Sequence, residues 1–559
     1  MSATPEHLDA QLQARRAPRL TGATLHRAVM LRPARLRNQK KKMTMLRSTL
    51  AVFLVLFLSA CVSLRPQADR TATHALEDTN TTRLGTMLMP EVHSHPDQSA
   101  FHLLPDGVDA LLARIVLTGQ ADRTLDLQYY IWHDDLTGRQ LADGVLRAAD
   151  RGVRVRVLLD DLGTGADDKV LLAIASHPNI QVRLFNPVAS RTFKTLGTAL
   201  EFGRVNRRMH NKALIADNQA AILGGRNIGD EYFGASSDVS FGDLDVLTFG
   251  PVVHRVSSAF DQFWNSDAAY PIESLTGHPA APDALAMYRV KLTAAIAAQQ
   301  DSPYVVQAKQ RLAKLVAARD PEFSWGKATL LYDDPAKIAR SPDDPQGHLL
   351  TQFDALSVKP DRQMLIISPY FVPGKKGVEW MRAQTARGVR VTILTNSLAA
   401  TDVAAVHAGY QRYRKDLLDA GVHLYELKPA ETEDPTAKKK SLLGSSKASL
   451  HAKTYVFDRT SIFIGSMNFD PRSITLNTEI GVYCESDAIA AQVADGLEPK
   501  LDQIAWRLEE RTDANGASRI VWIDTAPDGT VKELDEPGVS SMKRIGIWFL
   551  GLLPIESEL

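Results

Sequence analysis

The sequence predicts an α/β protein that contains one α/β domain twice. Two observations carry this. The decapeptide RGVRVRVLLD, Arg151 to Asp160, returns as RGVRVTILTN, Arg387 to Asn396. Downstream of each lies a second shared block, HNKALIAD followed by AAILGGRN, and HAKTYVFD followed by SIFIGSMN. Arg151 precedes His210 by 59 residues and Arg387 precedes His451 by 64, so both order and spacing repeat. Internal repetition of this kind sets the architecture before any single element is considered.

Each decapeptide follows a helical stretch, GRQLADGVLRAAD or KKGVEWMRAQTA, and each of these follows a β-rich run, 124–132 or 363–371. Strand, helix, glycine turn and strand make a βαβ unit with a parallel sheet. The two domains span 98–275 and 326–530. Between them, 276–325 reads as a helical linker, with residues 282–318 in helical alternation. The polar stretch 428–449 reads as a loop leading to His451. Cys484 has no partner cysteine in the mature chain and reads as a small buried hydrophobe.

The ends differ from the middle. Residues 1–42 hold ten Lys/Arg and two acids with no hydrophobic period, a disordered basic stretch or sequence upstream of the real start, with Met43 and Met45 as alternative starts. Then MLRSTLAVFLVLFLSAC begins at Met45. Its unbroken apolar run, 50–58, is nine residues long. It is too short to span a bilayer but suits a signal peptide. The ending LSAC resembles a bacterial lipobox, which makes Cys61 the lipidation site; residues 61–97 then read as a polar tether. The tail 531–559 is apolar, with Trp548 and Phe549. Two readings fit it, a helix docked on the core and a membrane-surface segment.

Composition excludes several classes. Of 559 residues, 65 are Lys or Arg and 65 are Asp or Glu, so the formal charge is zero. That is a poor balance for a polyanion binder, and no nucleic-acid partner is expected. Two cysteines exclude a disulfide scaffold and a cysteine zinc ribbon.

The repeated block carries the chemistry. Residues two apart on a strand share a face, so His210 projects with Lys212 and His451 with Lys453. Asp217 and Asp458 complete the catalytic candidates; their parity is opposite and each opens a turn, which reads as mostly structural. The small pairs Gly224-Gly225 and Gly465-Ser466 would let a ligand approach the backbone. Asn227 and Asn468 supply amide donors for a phosphate. Two imidazoles, two ammonium groups and two amides suit a tetrahedral phosphodiester. Lysines and amides neutralise the oxygens, one imidazole attacks phosphorus, and the other handles the alcohol proton. No metal or cofactor is expected, since HxK lacks a third zinc ligand. A carboxylate on the far ring nitrogen would orient each histidine. Asp243 and Glu479 sit at matching places, with Asp245 the rival in the first half.

These residues resemble the phospholipase D superfamily, whose signature is two HxKxxxxD motifs followed by G-[GS]-x-N. The resemblance covers about 98–530. It implies two similar α/β domains packed around one site at their interface, and ping-pong chemistry through a phosphohistidine. It also implies His210 as nucleophile and His451 as acid/base. LDLQYYIWHDDLTGRQLADGVLRAADRGVRVRVLLDD, GGRNIGDEYFGA, SMNFDPRS and LLPIE are similar to one bacterial subgroup, the cardiolipin synthase C type, which joins two phospholipids. That implies phosphatidylglycerol as acceptor, phosphatidylethanolamine as donor, and a membrane surface as the place of work. With the Cys61 anchor, it places the protein in the bacterial cell envelope. A phospholipase D hydrolase, an envelope nuclease and a non-enzymatic lipid-binding lipoprotein are the alternatives.

Overall fold

The structure is a computed structural model. It describes Leu64 and residues 70–164, 167–236, 240–318, 322–429, 448–512, 515–526, 528–552 and 556–559. The basic stretch, the signal-like run 50–58, Cys61 and most of the polar loop before His451 lie outside the described residues.

The first half contains β1 (Ser99–Leu104), β2 (Thr124–Tyr129), β3 (Arg154–Asp160), β4 (Ile180–Phe185), β5 (Ala213–Ala216), β6 (Ala220–Gly224), β7 (Ser240–Gly242), β8 (Asp245–Phe249) and β9 (Ala269–Pro271). The second contains β10 (Ser324–Tyr332), β11 (Gln363–Ile367), β12 (Arg390–Asn396), β13 (His423–Leu427), β14 (Ala448–Leu450), β15 (Lys453–Phe457), β16 (Ser461–Gly465), β17 (Ile480–Glu485) and β18 (Ala505–Thr512). Beyond it come β19 (Ser518–Thr525) and β20 (Val531–Leu534).

Both halves lay their strands side by side in one pattern. Neighbours in the first run β1, β8, β6, β5, β2, β3, β4, β9. Neighbours in the second run β10, β17, β16, β15, β11, β12, β13, β18. In each, the two pairings of the βαβ region are parallel and the others antiparallel.

The local reasons are plain. β2 is buried along its whole length, as a central parallel strand should be. The crossover helices are Leu136–Asp150 and Gly374–Ala386. The first is capped by Asp135, whose carboxylate accepts from the Gly138 N–H. Both helices end at a glycine with positive φ, Gly152 at 94° and Gly388 at 89°, which is why the decapeptides share Arg-Gly.

Three features join the halves. β1 pairs antiparallel with β10, Ala100 opposite Trp325. β7 pairs in parallel with β14, Phe241 opposite Ser449. Met209 bridges Thr478. Phe101, Leu223 and Phe260 also share one apolar cluster with Leu365, Ile464 and Val482. The two repeats are therefore halves of one body with a common core.

Several expectations change. Residues 70–97 are not a loose tether. They include the helix Arg83–Ser94 and lie along the first half. Arg156, fully buried, donates to Thr73 O at 2.8 Å, and Ala75 N donates to Asp261 Oδ2 at 2.8 Å. The segment is held by its backbone carbonyls and amides, which bond to charged side chains of the first half. The linker forms two helices, Ala284–Ala298 and Pro303–Ala318. The tail opens with β20, which extends the sheet from β19, and continues as a helix, Ser541–Gly551, with Ile547 buried beside Leu398 and Ala408. Cys484 is buried, and burial pushes its thiol up to about 12. Among the described residues, no helix is long and apolar enough to cross a membrane.

Candidate active site

The two candidate histidines sit where each chain segment leaves its own sheet and touches the other half. HNKALIAD was expected to be strand throughout. In fact β5 starts only at Ala213, and His210 and Lys212 lie on the extended lead-in. The reason is cross-half hydrogen bonding. His210 N donates to Thr478 O at 2.8 Å, and Thr478 N donates to Arg208 O at 2.9 Å. On the other side His451 N donates to Gly242 O at 2.7 Å.

The last residue of each repeated decapeptide fixes that lead-in. Asp160 Oδ2 accepts from Met209 N at 2.9 Å, one residue before His210. Asn396 Oδ1 accepts from Leu450 N at 2.9 Å, one residue before His451, and its Nδ2 donates to Leu450 O at 3.0 Å. Asp160 and Asn396 are thus positioning residues with the same task. Sequence reasoning did not assign them, although their shared column in the repeat was visible.

The orienting carboxylates are exchanged between halves. His210 Nδ1 lies 2.9 Å from Glu479 Oε2, and His451 Nδ1 lies 2.7 Å from Asp243 Oδ2. An ionised carboxylate only accepts, so each Nδ1 carries the proton and each Nε2 keeps its lone pair. The rival Asp245 is committed elsewhere, in a buried ion pair with Arg114 at 2.9 Å and Arg226 at 3.3 Å.

The two carboxylates are not equivalent. Glu479 is raised to about 7 by burial, against the opposing Lys212 charge. Asp243 is equally buried, yet His451 and Lys453 outweigh that and hold it well below the usual carboxylate range. Their contacts differ too. Ser466 Oγ donates to Glu479 Oε2 at 2.5 Å, whereas the matching position in the first half is Gly225. A Cβ on Gly225 would stand 2.1 Å from Asp243 Oδ1. The small pair was expected to admit a ligand; Gly225 admits the orienting carboxylate.

Lys212 and Lys453 are buried. Each donates one N–H to the carbonyl of its own histidine, Lys212 Nζ to His210 O and Lys453 Nζ to His451 O. That leaves two donors apiece. Burial, followed by the neighbouring lysines, lowers His210 well below its ordinary value, with Arg472 adding to the effect. Burial and Lys453 lower His451 to about 4, and burial brings Lys453 down to about 8. Burial also lowers Lys212 well below its ordinary value, so the site pairs neutral imidazoles with lysines whose charge is easily lost.

Asn227 Oδ1 accepts from Ile131 N at 3.2 Å, which leaves Nδ2 buried without a partner. Asn468 Oδ1 is likewise buried and unpartnered. Such a group costs about 1–3 kcal/mol; a phosphate oxygen would relieve the Asn227 donor, whereas the Asn468 Oδ1 acceptor needs a donor such as an alcohol hydroxyl.

The motif aspartates lie outside this set. Asp217 accepts from the backbone N–H of Asp122, Arg123 and Thr124 at 2.9, 2.7 and 2.9 Å. Asp458 does the same for Asp361, Arg362 and Gln363, each at 2.8 Å. Both were counted with the catalytic candidates. Their carboxylates instead tie the far end of the motif strand to the start of β2 or β11. Three aromatic residues were missed: Tyr130 lies edge-on to His210 at 5.2 Å, and Tyr232 and Phe241 flank His451 at 5.2 and 5.1 Å.

His133, Asp135 and Glu231 also converge like metal ligands. Asp135 is occupied as a helix cap and by Asp230 N at 2.8 Å, and His133 Nδ1 lies 3.3 Å from Glu231 Oε1.

Duplicated α/β halves with two HxK pairs meeting at their junction fit the phospholipase D superfamily, and the similar proteins make it a phospholipid transferase of that superfamily. The comparisons agree. The family described as cardiolipin synthase, PLD-like domain, matches residues 115–264 and 358–499, and the chain belongs to that family. It is 41% identical over 487 residues to cardiolipin synthase C of Escherichia coli, covering 85% of this chain and 99% of that one. It is 32% identical to an uncharacterised Helicobacter pylori protein over 88% of this chain and 96% of the relative. Phosphatidylserine synthase of Haemophilus influenzae shares the fold, with a TM-score of 0.50 at 14% identity over 75% of this chain and 91% of that structure.

Proposed function

We propose that the protein makes cardiolipin by transferring a phosphatidyl group from phosphatidylethanolamine to phosphatidylglycerol through a phosphohistidine on His210. The carrying observation is the exchanged pairing of the two histidines with unequal carboxylates. Asp243 stays ionised and so stabilises an imidazolium on His451, which suits the proton carrier. His210, neutral and beside two lysines, suits the nucleophile.

The steps balance. His210 Nε2 attacks phosphorus and the bond to the ethanolamine oxygen breaks. His451, protonated once the phosphodiester anion offsets the lysine charges, gives that oxygen its proton. A hydroxyl of phosphatidylglycerol then passes its proton to His451 and attacks phosphorus, which releases His210. Lys212, Lys453, Asn227 and Asn468 hold the non-bridging oxygens throughout. Anchoring through an acylated Cys61 in the cell envelope completes the reading; a Cys61→Ala protein should lose the acyl mass and partition less into membranes.

Lipid mass spectrometry on the full chain in mixed vesicles tests the activity, with His210→Ala as control. Cardiolipin formed strongly only when both lipids are present supports transfer and names the donor. Phosphatidic acid without cardiolipin would mean that water is the acceptor.

A further inference from the structure

We propose that two short helices beside the active site form the surface that seats this protein on a phospholipid bilayer, an inference that rests on the reading of the substrates as membrane lipids. The first is Lys194–Leu200, where Phe193, Leu196 and Leu200 recur at helical spacing. The second is Ser541–Gly551, where Ile545, Phe549 and Leu552 recur in the same way, with Trp548 beside them. The second helix is apolar on both sides. Ile547 and Leu550 pack on Leu398 and Ala408, while the other stripe faces outward. Exposures are 66, 52 and 37% for the first stripe and 57, 59 and 62% for the second, with Trp548 at 56%.

Such residues are costly in water unless something covers them. Two elements from opposite halves are also tied together at the site. Asn206, at the end of the chain segment that follows the first helix, donates from Nδ2 to Glu558 Oε2 at 2.6 Å. Arg472 donates to Asn206 Oδ1 at 2.9 Å and to Glu558 O at 3.2 Å, and its N–H donates to Leu559 O at 2.8 Å. Arg472 is close enough to His210 for its charge to depress the imidazole. The segments that follow the two helices therefore meet on the His210 side of the site.

The occupant is a bilayer for two reasons. The side chains are large, aliphatic and aromatic, the set that partitions into the headgroup–acyl boundary. The surface is continuous with a site whose substrates are held in that bilayer. A lipid lifted a short way out could present its phosphodiester to His210 while its acyl chains remain against these residues.

Photolabelling tests this without relying on turnover. The full chain is mixed with phosphatidylethanolamine/phosphatidylglycerol vesicles that carry a phospholipid with a diazirine near its acyl terminus. Adducts are then mapped by peptide mass spectrometry. They should concentrate in 193–202 and 542–552, at least tenfold over Met287 and Val290, which are equally exposed on the linker helix. Labelling no higher than at the linker would overturn the proposal, as would a dimer in solution that leaves both helices unlabelled. As a second measurement, Leu196→Glu/Phe549→Glu should raise the apparent KM on vesicles at least tenfold and change turnover of dispersed short-chain lipid less than twofold. Equal losses on both, or none on vesicles, would count against it. Labelled helices without any cardiolipin formed would leave this surface standing and remove the proposed reaction.

Discussion

Glu479 orients His210 from 269 residues further along the chain, and the two touch at 2.9 Å. Asp243 orients His451 from 208 residues back. Each half thus carries one imidazole of the proposed site, while the other half carries the carboxylate bonded to it. Neither half on its own holds a complete histidine–carboxylate pair, so the proposed chemistry requires the junction between halves.

Loss of either histidine should have distinct outcomes. His210→Ala should abolish transfer, by about 10⁴-fold or more, and leave no phosphorylated protein. His451→Ala should still take up a phosphatidyl group slowly and then retain it. Intact-protein mass spectrometry after brief exposure to lipid distinguishes the two, and EDTA should change neither.

Glu479 predicts an acid limb. Its folded value is raised to about 7 by burial, so the carboxylate is lost as pH falls through that value. The His210 Nδ1–H then loses its acceptor, and adduct formation should decline below about pH 7. A Glu479→Gln protein should be slower throughout but lack this limb. On the alkaline side, burial brings Lys453 to about 8, so substrate KM should rise as the ammonium deprotonates. Lys453→Arg should lessen that alkaline rise, and Lys212, which burial also lowers well below its ordinary value, carries what remains. Single-turnover rates and KM measured against pH check both.

Asp160 and Asn396 should matter although they touch no substrate. Asn396→Ala removes two hydrogen bonds to Leu450, which costs about 1–3 kcal/mol and lets His451 drift. A shift of about 1 Å can lower the rate on the order of 10²-fold. The expected signature is a fall in kcat with KM nearly unchanged. Asp160→Ala should be worse in stability, because it leaves the buried Arg208 without its carboxylate, about 3–5 kcal/mol.

Gly225→Ala should damage the site from behind. Its Cβ would meet Asp243 at 2.1 Å, so the carboxylate must move away from His451. Overpacking of this kind costs about 1–3 kcal/mol. Ser466→Gly, at the matching place, makes no clash but removes the hydroxyl that donates to Glu479. The first variant should impair the step that moves the phosphatidyl group from His210 to the acceptor alcohol and the second should raise the midpoint of the acid limb, both read in rapid-quench kinetics.

Asp217→Ala should behave as a stability mutation. It leaves three backbone donors at the entry to β2 without their acceptor. With about 1–3 kcal/mol for each buried donor so exposed, the melting temperature should fall by many degrees. Below that temperature, kcat should stay within a few-fold of the parent protein, as measured by calorimetry alongside lipid turnover.

The sequence by itself determined the duplication, the βαβ units, the family and the identity of the paired His, Lys and Asn residues. These are written locally, in alternation, in helix and glycine-turn signals, and in a motif that occurs twice. It also marked Asp243 and Glu479 as candidates, because each sits near the start of an alternating strand. Only the tertiary structure decided that these carboxylates are exchanged between halves, that Asp245 belongs to two arginines, and that residues 70–97 pack as part of the body. It likewise showed Asp160 and Asn396 bonded to the residues just before the two histidines, and packed the tail helix on Leu398 and Ala408. The physical reason is common to all of these. A side chain's type and face are set by neighbours a few positions away, whereas its partner is whichever group the folded sheet brings within 3 Å, and here those groups come from opposite halves of the chain.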